Sequence, residues 1–420
     1  MSIIKSVKGR QVFDSRGNPT VEAEVILQDG SIGSAIVPSG ASTGRHEAHE
    51  LRDKNKDYLN KSVFDAVNNI NDKISTVLVN KGSTHQKEID KILINLDGSE
   101  NKSNVGANAI LAVSIANLKA AAKFSKQEIY RYINNGGINN INYGEKFKSL
   151  GATKPVFNMP YPLMNIINGG AHANNSLEIQ EFMIRPDGAK SFNDCMQMSF
   201  LVIQNLKKNL EDKKISTSVG DEGGFAPSLG SDEEAIEIIM KSISAAGFKP
   251  GKDISICLDV AANELEKPKD VEYFLKLTKK YPIKSIEDPF PEDDWDNWKK
   301  LTQEVNTQIV GDDLFVTNKK RLERGVKEKS ANSILIKPNQ IGTVSETLET
   351  IKLAQDNNFK TIISHRSGDS EDTFIADLAV ATNSSQIKTG SLARSERVAK
   401  YNRLLRIEEE LGNQAKMARI

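Results

Sequence analysis

The sequence predicts a small α+β domain followed by a βα barrel. Three observations support this: a strand meander with helices in the first 135 residues, alternating short apolar strands and helical segments from residue 155, and ionisable side chains that close the late strands. A chain of 420 residues is too long for one ordinary core. A doubly wound sheet would alternate in the same way, so periodicity by itself leaves that alternative open.

The first domain begins with a predicted three-stranded sheet. One strand leads into the turn-rich residues 14–19, and alternating apolar residues over 21–27 indicate a second strand. Asp29-Gly30 then predicts a hairpin into a third strand that ends near Val37. Apolar residues at three-to-four spacing predict helices over 63–79 and 108–124.

A segment rich in Gly, Asn and Lys, residues 136–154, has no clear period and reads as a linker. We therefore expect an N-terminal domain over residues 1–135 and a catalytic barrel domain over residues 155–420.

The barrel strands are predicted from apolar runs separated by helical segments, for instance at 232–246, 345–357 and 373–382. The predicted strands end near Asn165, Met183, Asp259, Glu287, Asp312, Lys337, His365 and Lys388.

The last six of these strands each end in an ionisable residue, at intervals of about 25 residues, or one strand plus one helix. In a barrel, all such ends lie on the face that carries active sites. Taken singly, each could be a helix cap or half of a surface ion pair. Six ionisable residues at regular strand ends, with the acids first and the cations after them, favour an active site.

The order of the charges predicts the ligand. Asp259, Glu287 and Asp312 close three consecutive strands, and such close carboxylates favour a hard divalent cation, Mg²⁺ first. The next strands end in cationic residues, which suit a small substrate that carries carboxylate and phosphate groups. These are Lys337, His365 with Arg366, and Lys388.

Loops supply further candidates. The Gly-rich stretch 39–44, with Ser42, resembles a mobile lid. His172 lies in a Gly-rich loop, Gln180-Glu181 sits among strand residues, and Glu222 lies between glycines. Each of these alone could be an ordinary polar surface residue or turn. A Glu that points inward from a strand must be paired, protonated or catalytic.

Composition excludes several classes of protein. Lys plus Arg and Asp plus Glu both number 56, so the zero net charge gives no support for a nucleic-acid binder. Two cysteines, neither in a CxxC pair, indicate a reducing compartment. The first residues lack a signal peptide, and Ser114, Asn117 and Lys119 interrupt the most apolar segment. We expect a cytoplasmic protein with no membrane span.

Long motifs then connect the chain to a known family. From DSRGNPTVE at 14–22 to AKYNRLLRIEEEL at 399–411, the chain resembles the enolases over nearly its whole length. Between these lie SGASTG, GANAILAVS, NIINGGAHA, QEFMI, VGDEGGFAP, SIEDPF, GDDLFVTN, LIKPNQIGT, SHRSGDSED and IKTGSLARSER. The resemblance implies a magnesium-dependent hydro-lyase that converts 2-phospho-D-glycerate to phosphoenolpyruvate. It also implies a barrel with an irregular ββαα start and a homodimer or higher homo-oligomer.

The resemblance assigns roles position by position. Asp259, Glu287 and Asp312 match ligands of a first magnesium ion, and Ser42 matches a ligand of a second one that arrives with substrate. Lys337 matches the base at C2, and Glu222, assisted by Glu181, matches the acid at the C3 hydroxyl. The remaining matches are substrate contacts: His172, Gln180, His365, Arg366, Ser367 and Lys388.

The chain departs from the family pattern at three places: a segment shortened after Asn263, a longer loop at 136–154, and an early end at Ile420. We expect these to affect packing or assembly, with the chemistry retained. Two other functions remain in comparison. One is an enolase-like enzyme of a phosphonate-type pathway, which Glu181, Glu222 and His172 disfavour. The other is a non-catalytic homologue, which would have lost ligands.

Overall fold

A computed structural model of the protein describes residues 2–41, 43–54, 56–136, 138 and 157–420. The first part contains an antiparallel meander of β1 (Ile4–Phe13), β2 (Pro19–Leu27) and β3 (Ile32–Ile36). Along β2, buried residues alternate with partly exposed ones over most of its length, as in a sheet with one covered face. The predicted sheet is confirmed. The predicted linker lies almost wholly outside the described residues.

Helices cover the buried face of this sheet. They are α1 (Phe64–Asn68), α2 (Ser75–Leu78), α3 (Gln86–Asp97), α4 (Ala107–Phe124) and α5 (Ile129–Asn134), and a π-helical segment, Asn69–Ile74, joins α1 to α2. Both predicted helices are therefore present, the first with a π-helical centre. Helix α4 is buried almost all round because it packs between the sheet and the second part of the chain.

The second part is a closed eight-stranded barrel. Its strands, in order around the barrel, are β5 (Tyr161–Asn168), β6 (Glu181–Arg185), β7 (Ser255–Asp259), β8 (Ile283–Glu287), β9 (Gln308–Gly311), β10 (Ser333–Ile336), β11 (Lys360–Ser364) and β12 (Gln386–Lys388). Because the sheet is closed, the fold is a barrel and not the doubly wound sheet that the strand–helix alternation also allowed. A short parallel pair, β4 (Phe157–Met159) and β13 (Ala415–Met417), lies outside the barrel.

The barrel helices are α6 (Phe192–Asp212), α7 (Asp232–Ala245), α8 (Val271–Lys280), α9 (Trp295–Glu304), α10 (Lys319–Glu328), α11 (Pro338–Ile341), α12 (Val344–Asp356), α13 (Phe374–Ala381) and α14 (Ser395–Leu411). Since β5 and β6 precede α6 and α7, the expected ββαα start is confirmed. Short 3-10 helices lie at Asp57–Asn60, Gly170–His172, Ala262–Glu264 and Gly412–Gln414.

The irregular start changes the direction of one strand. β6 is antiparallel to both β5 and β7, so that Glu181 at its beginning pairs with Asp259 at the end of β7. The predicted ends of the first two strands were too early, because β5 continues to Asn168 and β6 to Arg185. Asn165 interrupts the apolar run in sequence, but it is buried and remains within the strand.

The barrel interior is closed by a small apolar cluster. It consists of Leu163, Met183, Cys257, Val310, Leu335 and Ile362. Cys257 is thus a core residue, as expected, and Cys195 is also buried and free. Among the helices of the described residues, none combines the length and apolarity needed to cross a membrane.

Candidate active site

One mouth of the barrel holds a polar cleft. It lies where the parallel strands end and where β6 begins, so residues distant in sequence meet there. The lining residues are His172, Gln180, Glu181, Glu222, Asp259, Ala261, Asp288, Asp312, Asp313, Lys337, Ser364, His365, Arg366, Ser367 and Lys388. Every predicted site residue except Glu287 and Ser42 is among them. Ser42 lies outside the described residues.

Glu287 lies beside the cleft and shares its charge network. Asp259 and Glu287 pair in register on the adjacent parallel strands β7 and β8. The ammonium of Lys388, which ends β12, donates to Asp259 Oδ2 at 2.8 Å and to both oxygens of Glu287 at 2.9 and 3.0 Å. Burial and the neighbouring charge of Asp259 hold the pKa of Glu287 well above its usual range. The acids here therefore exceed the cations that neutralise them.

Lys337 follows β10 and donates directly to Asp312 Oδ2. Burial acts to lower the pKa of Lys337, but the charge of Asp312 outweighs it, so the pKa is raised. Bound cations beside this lysine would act in the opposite direction, by disfavouring its ammonium form. With Asp312 as its partner instead, the ammonium is favoured.

A second acidic group lies across the cleft. His172 Nδ1 is 3.6 Å from Glu181 Oε1 and 3.8 Å from Glu222 Oε2, so the three side chains form one cluster. Burial and the charge of Glu222 raise the pKa of Glu181 well above its usual range. Burial also acts to raise the pKa of Glu222, but His365 and His172 lower it well below its usual range.

Within this acidic pair, protonation is therefore favoured on Glu181 and ionisation on Glu222. Glu222 accepts a hydrogen bond from Asn165 Nδ2 at 3.2 Å, which also favours its ionised form. Crowding of the acids therefore favours protonation of Glu181, the neighbouring carboxyl.

The first domain reaches into the other side of the cleft. Arg366 forms a two-pronged ion pair with Glu47, at 3.0 and 3.2 Å. Ser39 and Gly368 exchange two backbone hydrogen bonds, and Ala41 donates its backbone N–H to Ser367 Oγ at 3.3 Å. The predicted lid segment is therefore seated beside the residues expected to bind phosphate.

Sequence reasoning missed several residues of the site. Asp288 accepts hydrogen bonds from the backbone N–H groups of Asp312 and Asp313, each at 2.9 Å. Burial and the charge of Asp312 raise the pKa of Asp313 to about 7. The paired acidic residues in SIEDPF and GDDLF could have indicated Asp288 and Asp313. No sequence pattern indicated that Asn165 and Glu47 belong to the site.

The acidic side of the cleft fits a hard divalent cation. Oxygen atoms of Asp288, Asp312 and Asp313 lie within 4.8 Å of one another. Asp259, Glu287 and Asp312 do not form such a group, because Lys388 stands between the first two and Lys337 binds the third. The two ammonium groups show where positive charge is favoured in the cleft. The groups around them are carboxylates, whose oxygen atoms are the ligands that a hard cation prefers.

Buried polar atoms in the cleft also indicate a ligand. Within the described part of the chain, some of them have no hydrogen-bond partner: His172 Nδ1 and Nε2, Gln180 Oε1, Glu181 Oε2 and His365 Nε2. Buried polar groups are normally paired, so a cluster of unpaired ones at one mouth indicates a polar molecule between them.

Comparisons with known proteins decide the family. Residues 4–133 match the family description "Enolase, N-terminal domain", and residues 156–277 and 266–420 match "Enolase, C-terminal TIM barrel domain". An enolase of Pelagibacter ubique (strain HTCC1062) is 58% identical over 436 aligned positions, which cover 100% of both chains.

The chain belongs to the enolase family.

Enolases are hydro-lyases, and the family uses Mg²⁺. In this enolase the charged strand ends, the paired acids and the seated lid segment all belong to one cleft. Asn263, which precedes the segment expected to be shortened, contacts residues on this side of the molecule. Asn263 Nδ2 donates to Asp313 Oδ2 at 2.8 Å, and Asn263 Oδ1 accepts from the backbone N–H of Glu292 at 3.1 Å.

Proposed function

We propose that this enolase catalyses the reversible, Mg²⁺-dependent dehydration of 2-phospho-D-glycerate to phosphoenolpyruvate in glycolysis and gluconeogenesis, with Lys337 as the base at C2. The observation that carries the proposal is that the two sides of one cleft carry different charged groups. Its acids lie around Lys337 and Lys388, while Arg366 and Ser367 lie beside the lid segment. A substrate with a carboxylate at one end and a phosphate at the other would be held in a fixed orientation.

Asp259, Glu287 and Asp312 would hold the first magnesium ion, and Ser42 would contribute to a second one when substrate binds. Bound Mg²⁺ supplies positive charge to the substrate carboxylate, where negative charge develops after the C2 proton leaves. These three carboxylates hold the ammonium groups of Lys337 and Lys388 in the structure and would give up those ion pairs on binding the ion. Lys337 would then lose its ion pair with Asp312, which favours the neutral amine that a base requires.

On the leaving-group side, Glu222 would deliver a proton to the C3 hydroxyl, assisted by Glu181. Protonation of this acidic pair is favoured on Glu181, whose pKa is raised, over Glu222, whose pKa is lowered. His172 lies between the two carboxyl groups and gives a route by which the proton reaches Glu222. His172 and Gln180 would contact the substrate through their unpaired polar atoms. Arg366, Ser367 and His365 would bind the phosphate end, and Lys388 the carboxylate end.

The roles of base and acid can be separated in D₂O. Lys337→Ala should lose both exchange of the C2 hydrogen and formation of phosphoenolpyruvate, by roughly 10²- to 10⁴-fold or more. Glu222→Gln should lose product formation but retain C2 exchange, because its base is intact. Lys284→Ala, an exposed lysine on β8, is the control and should behave as wild type.

Exchange is followed by NMR and product by ultraviolet absorbance, each with Mg²⁺ and with EDTA. A Lys337→Ala protein that exchanges the C2 hydrogen at the wild-type rate would remove Lys337 from the role of base. A wild-type protein that binds 2-phosphoglycerate but makes no product would contradict the proposed activity itself.

We also propose a homodimer, as the family resemblance implies. Several large apolar side chains are exposed and available for an interface, including Phe13 at 56%, Leu59 at 83% and Phe200 at 51%. Light scattering on the purified protein distinguishes a dimer from a monomer or a larger assembly.

A further inference from the structure

Arg397 is a buried arginine behind the active-site cleft. It lies in the first turn of α14, is 0% exposed and is not among the residues that line the cleft. Its Nη1 donates to His365 Nδ1 and to the carbonyl oxygen of Arg366, both at 2.6 Å. Its Nη2 donates to the carbonyl oxygens of Ser367 and Asp221, at 2.5 and 3.1 Å. One guanidinium thus joins two active-site loops.

The bond to His365 determines which ring nitrogen carries the proton. A guanidinium has donors only, so His365 Nδ1 must accept and cannot carry hydrogen. Burial lowers the pKa of His365 to about 4, so the ring is neutral at pH 7. The single proton is therefore on Nε2, which lies 3.4 Å from Glu222 Oε2. In this tautomer the ring faces Glu222 only as a donor.

The main chain around Glu222 is held from the same direction. Arg397 binds the carbonyl oxygen of the preceding residue, Asp221, and Ser391 donates its backbone N–H to the carbonyl oxygen of Glu222 at 2.9 Å. Gly390 has a φ of +75°, and a Cβ there would lie 2.5 Å from the Glu222 carbonyl oxygen. The backbone of Glu222 is thus fixed by Arg397 and its neighbours, while the carboxyl group faces His365 Nε2 at 3.4 Å.

The charge of Arg397 is balanced away from the cleft. Glu396 Oε1 lies 3.4 Å from its Nε, and Asp369 Oδ2 lies 3.9 Å from its Nη1. Asp369 also accepts from Lys400 at 2.6 Å. Because both of its terminal nitrogens donate to fixed protein acceptors, Arg397 is placed to orient other groups and not to bind the substrate phosphate itself.

We propose that Arg397 is a positioning residue for the leaving-group step: it locks His365 in the Nε2–H tautomer, and that tautomer orients Glu222 towards the C3 hydroxyl. This inference rests on the proposed function of Glu222. A residue that only stabilised the fold would not control the tautomer of His365 or the rate at saturating substrate.

The tautomer can be read directly by NMR. The chain has only five histidines, so two-bond ¹H–¹⁵N correlation spectra of ¹⁵N-histidine-labelled protein are simple to assign. The signal that His365→Gln removes identifies His365. We expect the Nε2–H pattern in wild type and a mixture of tautomers in Arg397→Met. A wild-type His365 with hydrogen on Nδ1 would overturn the proposal, and this spectrum does not depend on whether any variant folds.

Kinetics give a second, independent readout. Arg397→Met should lower kcat by up to about 100-fold, as expected for a misplaced catalytic group, with KM changed little. Arg397→Met should have little further effect on a His365→Ala background. His365→Gln should retain more activity than His365→Ala, because an amide can accept from Arg397 and donate to Glu222.

Arg403→Met is the matched control. It also removes a largely buried, ion-paired arginine from α14, but Arg403 binds Asp377 and Glu128 and not the active-site loops. It should lose stability with kcat unchanged. A folded Arg397→Met with wild-type tautomer and kcat would refute the positioning role. If wild type fails to turn over 2-phosphoglycerate, the proposed function fails, and the NMR readout still decides the tautomer.

Discussion

The burial of His365 makes the stability of the protein depend on pH. The folded protein favours the neutral ring, with a pKa of about 4 against 6.5 for a free histidine. Between these two values the unfolded chain binds a proton that the folded protein does not, so stability falls as the pH falls from 6.5 towards 4. Above pH 6.5 the effect vanishes.

We predict that lowering the pH from 7 to 5 reduces the unfolding free energy of the wild type by about 2 kcal/mol through His365 alone. His365→Gln lacks the titrating ring and should lose correspondingly less over this interval. Urea denaturation of both proteins at both pH values measures the difference, and titrating groups that do not contact His365 cancel in the comparison. Parallel losses in the two proteins would show that His365 is not held neutral.

At the scale of single residues, the sequence predicted the charged strand ends but not their partners. Asp259 and Lys388 were identifiable because each ends an apolar run, which is a local pattern. Arg397 and Asn165 were not, because their roles depend on contacts between distant segments. The raised pKa of Glu181 and the lowered pKa of Glu222 likewise follow from neighbours that no local pattern contains.

Among the elements, β3 and α4 pack unusually closely. A Cβ at Gly33 would lie 2.1 Å from the carbonyl oxygen of Ala116 and 2.4 Å from the backbone nitrogen of Ala120. Backbone atoms cannot move aside as a flexible side chain can. We predict that Gly33→Ala costs about 1–3 kcal/mol by separating the sheet from the helix.

The matched control for this prediction is Gly230→Ala. Its Cβ would meet only the flexible end of Glu234, at 3.4 Å, so stability should change by less than about 0.5 kcal/mol. Thermal and urea denaturation compare both variants with wild type. Equal stability of the two variants would show that the sheet and helix can separate without cost.

A buried ion pair joins α13 to α14. Arg403 donates to both oxygens of Asp377, at 2.9 and 2.6 Å, and the carboxylate side chain is 1% exposed. Removing the arginine leaves a buried carboxylate without its partner, so Arg403→Ala should cost about 3–5 kcal/mol.

Lys276→Ala breaks a mostly exposed pair with Glu272 and should cost at most about 0.5 kcal/mol. Similar losses in urea denaturation would contradict the role of burial.

The existence of most elements could be predicted, whereas some of their details could not. The apolar period of α4 was readable within one residue of its start. The π-helical turn at Asn69–Ile74 was not, because its buried isoleucines, Ile70 and Ile74, are four residues apart, a spacing that an α-helix also gives. The direction of β6 was likewise unreadable from periodicity, since every residue of this strand is buried and either direction buries both faces.

At the scale of the whole molecule, the two parts of the chain build the cleft together. Glu47 and the 39–44 segment come from the first part and contact Arg366 and Ser367 on the barrel. The sequence predicted a lid segment but not where it sits, because docking between distant parts depends on surfaces that no single segment encodes. The predicted boundary at 136–154 stays a prediction, as does the role of Ser42.

The excess of acids over cations in the cleft predicts that Mg²⁺ stabilises the whole protein. A ligand that binds only the folded state adds about 2.7 kcal/mol at a concentration 100 times its Kd. Mg²⁺ should therefore raise Tm in the absence of substrate, and EDTA should reverse the rise. Glu287→Gln should reduce the response because it removes a carboxylate beside Asp259. Glu22→Gln removes a carboxylate from β2, where it pairs with Arg10, and should respond like wild type. Equal Tm shifts in all three proteins would place the ion elsewhere.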